Sequence, residues 1–179
     1  MPAARQLSIH NTKRLAMEQV TAIGTKNIGP HYWVGHCRNG VDYYAGQTFK
    51  TLKEGRLKSI QLFPTIVYGE GDAHIDVFEF DESIHEWKEK KAECTRHIDK
   101  HNEGEWMEFP LHDVVLEPNK QYAFKISCNS GSMMAVAECP WHLKDAYRDG
   151  EEWTGSSEMQ SGKFHHDFDL AFVAEIVSD

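Results

Sequence analysis

Aromatic and charged side chains occur together in the polar segment that precedes the last strand-like residues of the chain. They are Trp141, Tyr147, Arg148, Asp149 and Trp153. A sugar presents flat C–H faces that stack on aromatic rings, and its hydroxyls need paired donors and acceptors. The combination predicts a ligand-binding site for a glycan. The alternative is that the rings anchor the loop on the protein, because long ordered loops need apolar contacts of their own.

A second polar group follows in the stretch His165-His166-Asp167-Phe168-Asp169. Adjacent histidines on a strand point to opposite faces, so one metal ion cannot easily take both. Asp167 and Asp169 share a face and offer the oxygen atoms that calcium binds, although calcium needs several further ligands from other segments. The alternative is that both carboxylates face solvent.

The eleven histidines are otherwise scattered, and no two of them form an HxH pair. A metal site of the cupin type needs histidines clustered on neighbouring strands, so only the fold could bring such ligands together. The chain also contains no phosphate-binding glycine loop and no GxSxG nucleophile motif. These absences favour a non-catalytic protein over an enzyme.

Composition narrows the class of partner. The chain has 179 residues, which suits one domain, and its formal net charge is −9 without a basic stripe. Phosphate backbones repel such a surface, so nucleic acid is not an expected partner. The longest apolar run, Met133 to Ala137, is too short to span a bilayer. The first twenty residues lack the apolar core of a signal peptide, which predicts a cytoplasmic location unless an export signal was removed.

The four cysteines show no CxxC spacing, which argues against a zinc ribbon or a thioredoxin motif. Cys128 falls in an apolar strand phase and is predicted to be a small buried core residue. We expect four reduced thiols, with two disulfides as the alternative, since a chain of this size does not need disulfides to fold.

Period-two alternation is the strongest structural signal. Residues 121–128, QYAFKISC, alternate apolar and polar positions, and the turn at 129–132 leads into MMAVAEC at 133–139. This pair predicts an antiparallel hairpin. Near the C-terminus, Phe168, Leu170, Phe172 and Ile176 share one face of a predicted terminal strand.

Similar segments recur about every 8–12 residues, giving about eight predicted strands and an all-β class. Residues 1–28 are predicted to form an N-terminal arm or a short helix, and residues 29–179 a single β-sandwich domain. The phase slips within HIDVFEF (74–80), which predicts a bulge or a strand buried on both faces. The segment from Asp81 to Glu105 fits either a helix or two short strands.

Four blocks of sequence carry a resemblance to a known family. They are GQTFKTLKEGRLKSIQLF, HIDVFEFD, EWMEFPLHDVVLEPNKQYAFKIS and DFDLAF, within the range from Ala45 to Ile176. The chain resembles bacterial jelly-roll β-sandwich modules similar to carbohydrate-binding modules. The resemblance implies a jelly roll, carbohydrate binding and a structural calcium ion, for which Asp169 matches the closing-strand ligand by position.

Three hypotheses therefore stand. The first is a non-catalytic module that binds carbohydrate through the loops at 141–160. The second is a structural or protein-interaction module of the same fold, and the third is a cupin-like metal-dependent enzyme. A glycan site predicts exposed rings beside polar groups, whereas a protein partner predicts a broader apolar patch.

Overall fold

Thirteen strands and two short 3-10 helices make up the secondary structure that a computed structural model describes for residues 18–129 and 131–178, apart from the side chain of Asp113. The 3-10 helices are Lys100–Asn102 and Trp141–Leu143. The strands are β1 (Gln19–Thr25), β2 (His31–His36), β3 (Asp42–Lys50), β4 (Gly55–Leu62), β5 (Pro64–Gly69), β6 (Gly71–Asp81), β7 (Glu86–Ile98), β8 (Met107–Leu116), β9 (Gln121–Cys128), β10 (Ser132–Ala137), β11 (Glu152–Ser156), β12 (Lys163–His165) and β13 (Phe172–Ser178).

The strands form two antiparallel sheets, which confirms the predicted all-β class. The smaller sheet has four strands in the order β1-β13-β4-β8. The larger sheet has nine, with the order β5-β10-β2-β3-β9-β6-β7, and β11 adds to the edge of β3 beside β12. No helix long and apolar enough to cross a bilayer occurs in the described part of the chain.

Eight of these strands have jelly-roll topology. The small sheet supplies β1-β13-β4-β8 and the large sheet supplies β3-β9-β6-β7. Numbered one to eight in chain order, these strands are arranged 1-8-3-6 and 2-7-4-5, which is the double Greek key of a jelly roll. The predicted fold class is therefore confirmed, and five additional strands extend this framework.

Three of the additional strands, β2, β5 and β10, continue three strands of the small sheet around a corner into the large sheet. In the small sheet β13 lies between β1 and β4, and in the large sheet β10 lies between β2 and β5. β2 follows β1 in the chain, and β5 follows β4 after a single residue. The bridge between Glu138 and Leu170 and the bond from Ala171 N to Ala137 O connect β10 to the residues before β13. Such corners are a known device for joining packed sheets.

Aromatic rings from both sheets fill the core between them. Phe124 on β9 lies 6.3 Å from the ring of Phe49 on β3 and 5.7 Å from that of Phe172 on β13. All three side chains are fully buried, as are Tyr122 and Ile126 on the same strand. The alternation of residues 121–128 therefore marks a core strand, as predicted, and Cys128 is buried as expected.

The predicted hairpin between β9 and β10 is wrong. β9 pairs with β3 on one side and with β6 on the other, while β10 pairs with β2 and β5. Because both edges of β9 are already hydrogen-bonded, β10 has no free edge of β9 to join. The chain instead passes from β9, inside the large sheet, to β10, which with β2 and β5 forms the corner extension of that sheet.

The ambiguous segment from Asp81 to Glu105 is mostly a strand. β7 occupies residues 86–98 and pairs antiparallel with β6 along most of its length. The β6–β7 ladder shifts register at Val77/Phe78 and Phe78/Phe80, within the stretch predicted to contain a bulge. The extra residues lie on β7, because β6 keeps an unbroken register with β9 from Ala73 to Glu79. β7 is the outer strand of the large sheet, and its dense lysine and glutamate side chains are typical of edges that resist pairing with another chain.

Two predictions at the chain ends change in detail. Residues 1–17 of the predicted arm lie outside the described residues, but residues 19–25 form β1 and pair with β13. The terminal strand begins only at Phe172. Leu170 joins the core with Phe172 and Ile176, whereas Phe168 is 36% exposed, so the predicted common face does not extend to Phe168.

Replacing Phe124 with alanine should lower the free energy of unfolding by about 3–5 kcal/mol, because it leaves a cavity between the rings of Phe49 and Phe172. Urea denaturation followed by tryptophan fluorescence measures the loss. Val115→Ala on the exposed face of β8 is the control and should change stability by less than about 0.5 kcal/mol. Equal losses in the two variants would contradict this account of the core.

Candidate ligand-binding site

The three aromatic residues predicted for the glycan loop do not share one surface. Trp141 lies in a 3-10 helix, is 62% exposed, and contacts the ring of Phe168 at 5.9 Å. Tyr147 is buried with its ring at 5.1 Å from Phe172 in the core. Trp153 instead lies edge-on to Trp87 at 5.2 Å. Each ring therefore has a different ring neighbour.

Tyr147 connects its loop to β3. Its hydroxyl donates to the carbonyl oxygen of Lys50, and the Lys50 N–H lies 3.3 Å from the same hydroxyl oxygen. Burial raises the pKa of this hydroxyl to about 12, so it remains protonated and keeps its donor. These contacts match the alternative in which an aromatic residue anchors the loop on the sandwich.

Trp153 is enclosed by its own hairpin. Its indole N–H donates to the carbonyl of Ser161, and the side chain is only 8% exposed. A Cβ atom at Gly162 would lie 2.5 Å from the indole, as would one at Gly155. Gly162 also has a φ of +69°, which favours glycine. The β11–β12 hairpin therefore closes over the ring because two glycines leave room for it.

Arg148 and Asp149 are close to each other in a polar pocket of about 350 Å³ beneath the loop. Asp149 pairs with Lys50 at 3.5 Å. Glu151, on the wall of the same pocket, pairs with His85 at 3.2 Å and with His166. Acids and bases already satisfy one another here. The role of Arg148 and Asp149 in ligand binding stays a prediction.

Asp169 is a buried carboxylate that joins three segments. One oxygen accepts from Gln47 Nε2 at 2.9 Å, and the other accepts from the Tyr147 N–H at 2.9 Å. Gln47 in turn accepts from the Leu170 N–H at 2.9 Å. Burial raises the pKa of Asp169 to about 6, even though both hydrogen bonds favour the ionised form. Its proposed role as a calcium ligand stays a prediction.

A second buried acid lies in the same region. Glu152 on β11 is almost fully enclosed, and burial raises the pKa of its carboxyl well above the ordinary value. The nearby carboxyls of Glu138 and Asp169 raise it further. Among the ion pairs of the described residues, none joins a lysine or arginine to Glu152 or Asp169, so nothing there offsets the burial that favours their protonated forms.

Another concave surface lies elsewhere, at the corner extension. A cleft of about 690 Å³ is lined by rings from β2, β3 and β5. We define the aromatic cleft by the rings of Trp33, Tyr43 and Tyr68 together with the polar side chains of His36 and Arg38. It shares none of these residues with the polar pocket.

The strand register explains why this cleft is open. Across the sheet, Gly35 lies opposite Tyr43 on one side and Met133 on the other, and Met133 lies opposite Tyr68. Gly35 has no side chain to fill the space between the rings. Its φ is +121°, and an added Cβ would lie 2.5 Å from the Ser132 carbonyl oxygen, so the backbone itself requires glycine there.

The rings of the aromatic cleft are available to a ligand. Tyr68 is 59% exposed and Trp33 is 37% exposed. Polar groups border them, because His36 pairs with Asp42 at 2.8 Å and the Arg38 guanidinium lies 3.5 Å from the Tyr68 hydroxyl. A volume of this size falls within the range of about 300–1,000 Å³ that small-molecule sites occupy.

The aromatic cleft was not predicted from the sequence. The aromatic runs HYWV and YYAGQTFK have the composition of strands, and the turn-prone Arg38-Asn39-Gly40 separates them. The usable signal was that both runs place aromatic residues beside one turn, which brings rings together when the strands pair. Tyr68 comes from a third strand, far from both in sequence, and only the fold adds it.

No family model matches the chain, and no curated protein matches it. Solved structures to which it is similar come from infectious bursal disease virus. A chain of the T13 viral particle matches with a TM-score of 0.39 at 10% identity, over 90% of this chain and 39% of that chain. The Gx strain structure matches with a TM-score of 0.35 at 11% identity, over 99% of this chain and 46% of that chain. The VP2 subviral particle matches with a TM-score of 0.33 at 10% identity, over 97% of this chain and 45% of that chain. The chain spans less than half of each of these chains.

The raised pKa of Asp169 predicts a pH-dependent stability. A carboxyl whose pKa is higher in the folded state stabilises the fold fully below its unfolded pKa, and this contribution is lost as the pH rises through about 6. The loss is on the order of 3 kcal/mol between pH 4 and pH 7. Urea unfolding across this range should show a flatter pH dependence for Asp169→Asn than for the wild type. Parallel pH profiles for the two proteins would contradict the assignment.

Proposed function

We propose that this β-sandwich is a non-catalytic binding module that recognises carbohydrate in the aromatic cleft. The observation that carries the proposal is the pair of exposed rings, Trp33 and Tyr68, on the wall of one cavity of about 690 Å³. The resemblance of the sequence to carbohydrate-binding modules agrees with this class of ligand. The proposed position, however, is the corner extension and not the loops at 141–160.

The chemistry of the cleft suits a sugar better than a purely apolar ligand. A pyranose ring can stack its C–H face on the indole of Trp33 or the phenol of Tyr68. The Arg38 guanidinium offers several donors, and His36, whose Nδ1 lies 2.8 Å from Asp42, offers its second ring nitrogen to sugar hydroxyls. Both residues line the same concave surface as the rings, so ring stacking and hydroxyl recognition can act together.

A protein partner is less well supported as the ligand of this chain. Outside the cleft, exposed apolar side chains lie on different elements, such as Val20 on β1, Leu52 after β3, Ile84 after β6 and Val115 on β8, and the contact of Trp141 with Phe168 joins only two exposed rings. Interfaces need contiguous patches, and single exposed apolar residues are normal on any surface. The cleft is concave and bordered by charge, which favours a small polar ligand.

A glycan array followed by calorimetry tests the proposal. We expect the wild type to bind at least one class of glycan, and Trp33→Ala to weaken that binding about tenfold through loss of ring stacking. Trp141→Ala is the matched control, because it also removes an exposed indole but lies outside the cleft. It should bind as the wild type does.

Two results would contradict the proposal. If the folded protein binds no glycan on the array, carbohydrate is not its ligand. If Trp141→Ala weakens binding while Trp33→Ala does not, the site lies in the loops at 141–160 and not in the aromatic cleft. Circular dichroism of both variants establishes that each remains folded before binding is compared.

Two substitutions of Tyr68 distinguish the contribution of ring stacking from that of hydrogen bonding in the same site. Tyr68→Phe keeps the ring and should stay within about threefold of the wild-type affinity, whereas Tyr68→Ala should lose about tenfold. Isothermal titration with the best glycan from the array measures both. Equal losses in the two variants would show that the hydroxyl, which lies near Arg38, contributes the binding and the ring does not.

A further inference from the structure

A compact group of metal-ligating side chains lies on the β6–β7 ladder, outside the aromatic cleft and the polar pocket. His74 Nε2 is 3.2 Å from Asp76 Oδ1 and 4.0 Å from Glu93 Oε2. One ligand atom from each of the three residues lies within 4.8 Å of the other two, and among the described residues no other group of three meets this condition.

The strand pairing builds this group. His74 and Asp76 are two residues apart on β6 and therefore point to the same face. Glu93 on β7 lies directly opposite Asp76, and Thr95 lies directly opposite His74. Both strands belong to a continuous ladder, so the backbone sets the spacing of the ligands and no loop has to move to assemble them.

The imidazole of His74 is oriented as a metal ligand needs to be. Its Nδ1 lies 2.6 Å from Thr95 Oγ1, which directs Nε2 towards the two carboxylates. A hydroxyl can accept as well as donate, so Thr95 remains satisfied when the ring proton is on Nδ1 and Nε2 offers its lone pair. Ligating histidines commonly use their second nitrogen in this way.

Lys90 now supplies the positive charge to this group. Its ammonium lies 3.2 Å from Asp76 Oδ1 and also pairs with Glu93. The side chain is about half exposed and sits on a flexible stem, so it can move into solvent when another cation takes its place. The two carboxylates thus already hold a cation, and the neighbouring imidazole adds the nitrogen ligand that an ammonium cannot use.

We propose that His74, Asp76 and Glu93 form a site for a divalent transition-metal ion of the Zn²⁺ class. Tetrahedral Zn²⁺ with bonds of about 2.0–2.1 Å needs ligand atoms about 3.3 Å apart, close to the separation between His74 and Asp76. A small rotation of the Glu93 side chain brings its oxygen into range. One imidazole with two carboxylates leaves a fourth position for water, whereas calcium would need more oxygen ligands.

His97, on the same β6–β7 ladder, provides a comparison with His74. His97 also lies between two acids, but its two nitrogens face different partners, Nε2 towards Glu70 at 3.3 Å and Nδ1 towards Asp72 at 3.5 Å. One ion cannot take both carboxylates together with a single nitrogen of this ring. His97 is therefore a surface histidine with acidic neighbours that lacks the proposed geometry.

Isothermal titration of the tag-free, folded protein with ZnCl₂ tests the site, with CaCl₂ as the comparison ion. We expect one saturable zinc equivalent that His74→Ala removes and His97→Ala leaves unchanged. Thr95→Val keeps the side-chain shape without the hydroxyl and should weaken binding about tenfold. Lys90→Gln should strengthen it by about twofold to fivefold, because it removes the competing ammonium.

Three outcomes would overturn the proposal. The first is a wild type that takes up no zinc equivalent while folded. The second is equal loss in His74→Ala and His97→Ala, which would indicate adventitious binding to surface histidines. The third is weaker binding in Lys90→Gln, because that lysine would then support the ion and not compete with it. None of these readouts depends on glycan binding, so this site and the proposed function fail separately.

Discussion

Three neighbouring strands turn the corner between the two sheets, and the open surface of the molecule depends on this turn. β1, β13 and β4 are neighbours in that order in the small sheet, and β2, β10 and β5 are neighbours in the corresponding order in the large sheet. β2, β5 and β10 form the corner extension, which lies outside the eight strands of the jelly-roll framework. The aromatic cleft lies on this extension, where rings from three strands meet around Gly35.

Buried polar contacts hold the long segment between β10 and β13 in place. Gln47 on β3 donates to Asp169 and accepts from the Leu170 N–H, and Asp169 accepts from the Tyr147 N–H. Satisfied buried polar groups specify one arrangement, because each alternative would leave a donor or an acceptor unpaired. The same burial that gives this precision raises the pKa of Asp169 and Glu152, so the segment is also the part of the fold that loses stability as the pH rises.

The large sheet uses its two ends differently. At the β5 end, exposed aromatic rings and a missing side chain at Gly35 create a concave surface. At the β7 end, charged side chains cover the edge strand, and the same charge density places carboxylates beside His74. The acidic residues of this edge therefore have two roles, since acids that discourage pairing with another strand also attract positive charge.

Much of the fold followed from local pattern. Residues 121–128 alternate because their strand has one face in the core, and the slip in residues 74–80 marked the stretch where the β6–β7 ladder shifts register. The pairing of β9 with β10 was not predictable in this way. Alternation specifies which face of a strand is buried, but the neighbours of β9 are β3 and β6, which lie far away in the chain.

The candidate sites show the same division. Residue types were visible in the sequence: aromatic rings in several segments, and His74 two residues from Asp76. The exposure of each ring and the distances between the metal-ligating side chains were not visible in the sequence. Trp153 is enclosed by its own hairpin, whereas Trp33 remains open, and Glu93 reaches His74 only through the register of β6 and β7. The sequence by itself determined the β class and the buried faces, since these depend on a period of two residues. Only the tertiary structure decided strand neighbours, open rings and ligand distances, because these depend on residues that the chain brings together from distant positions.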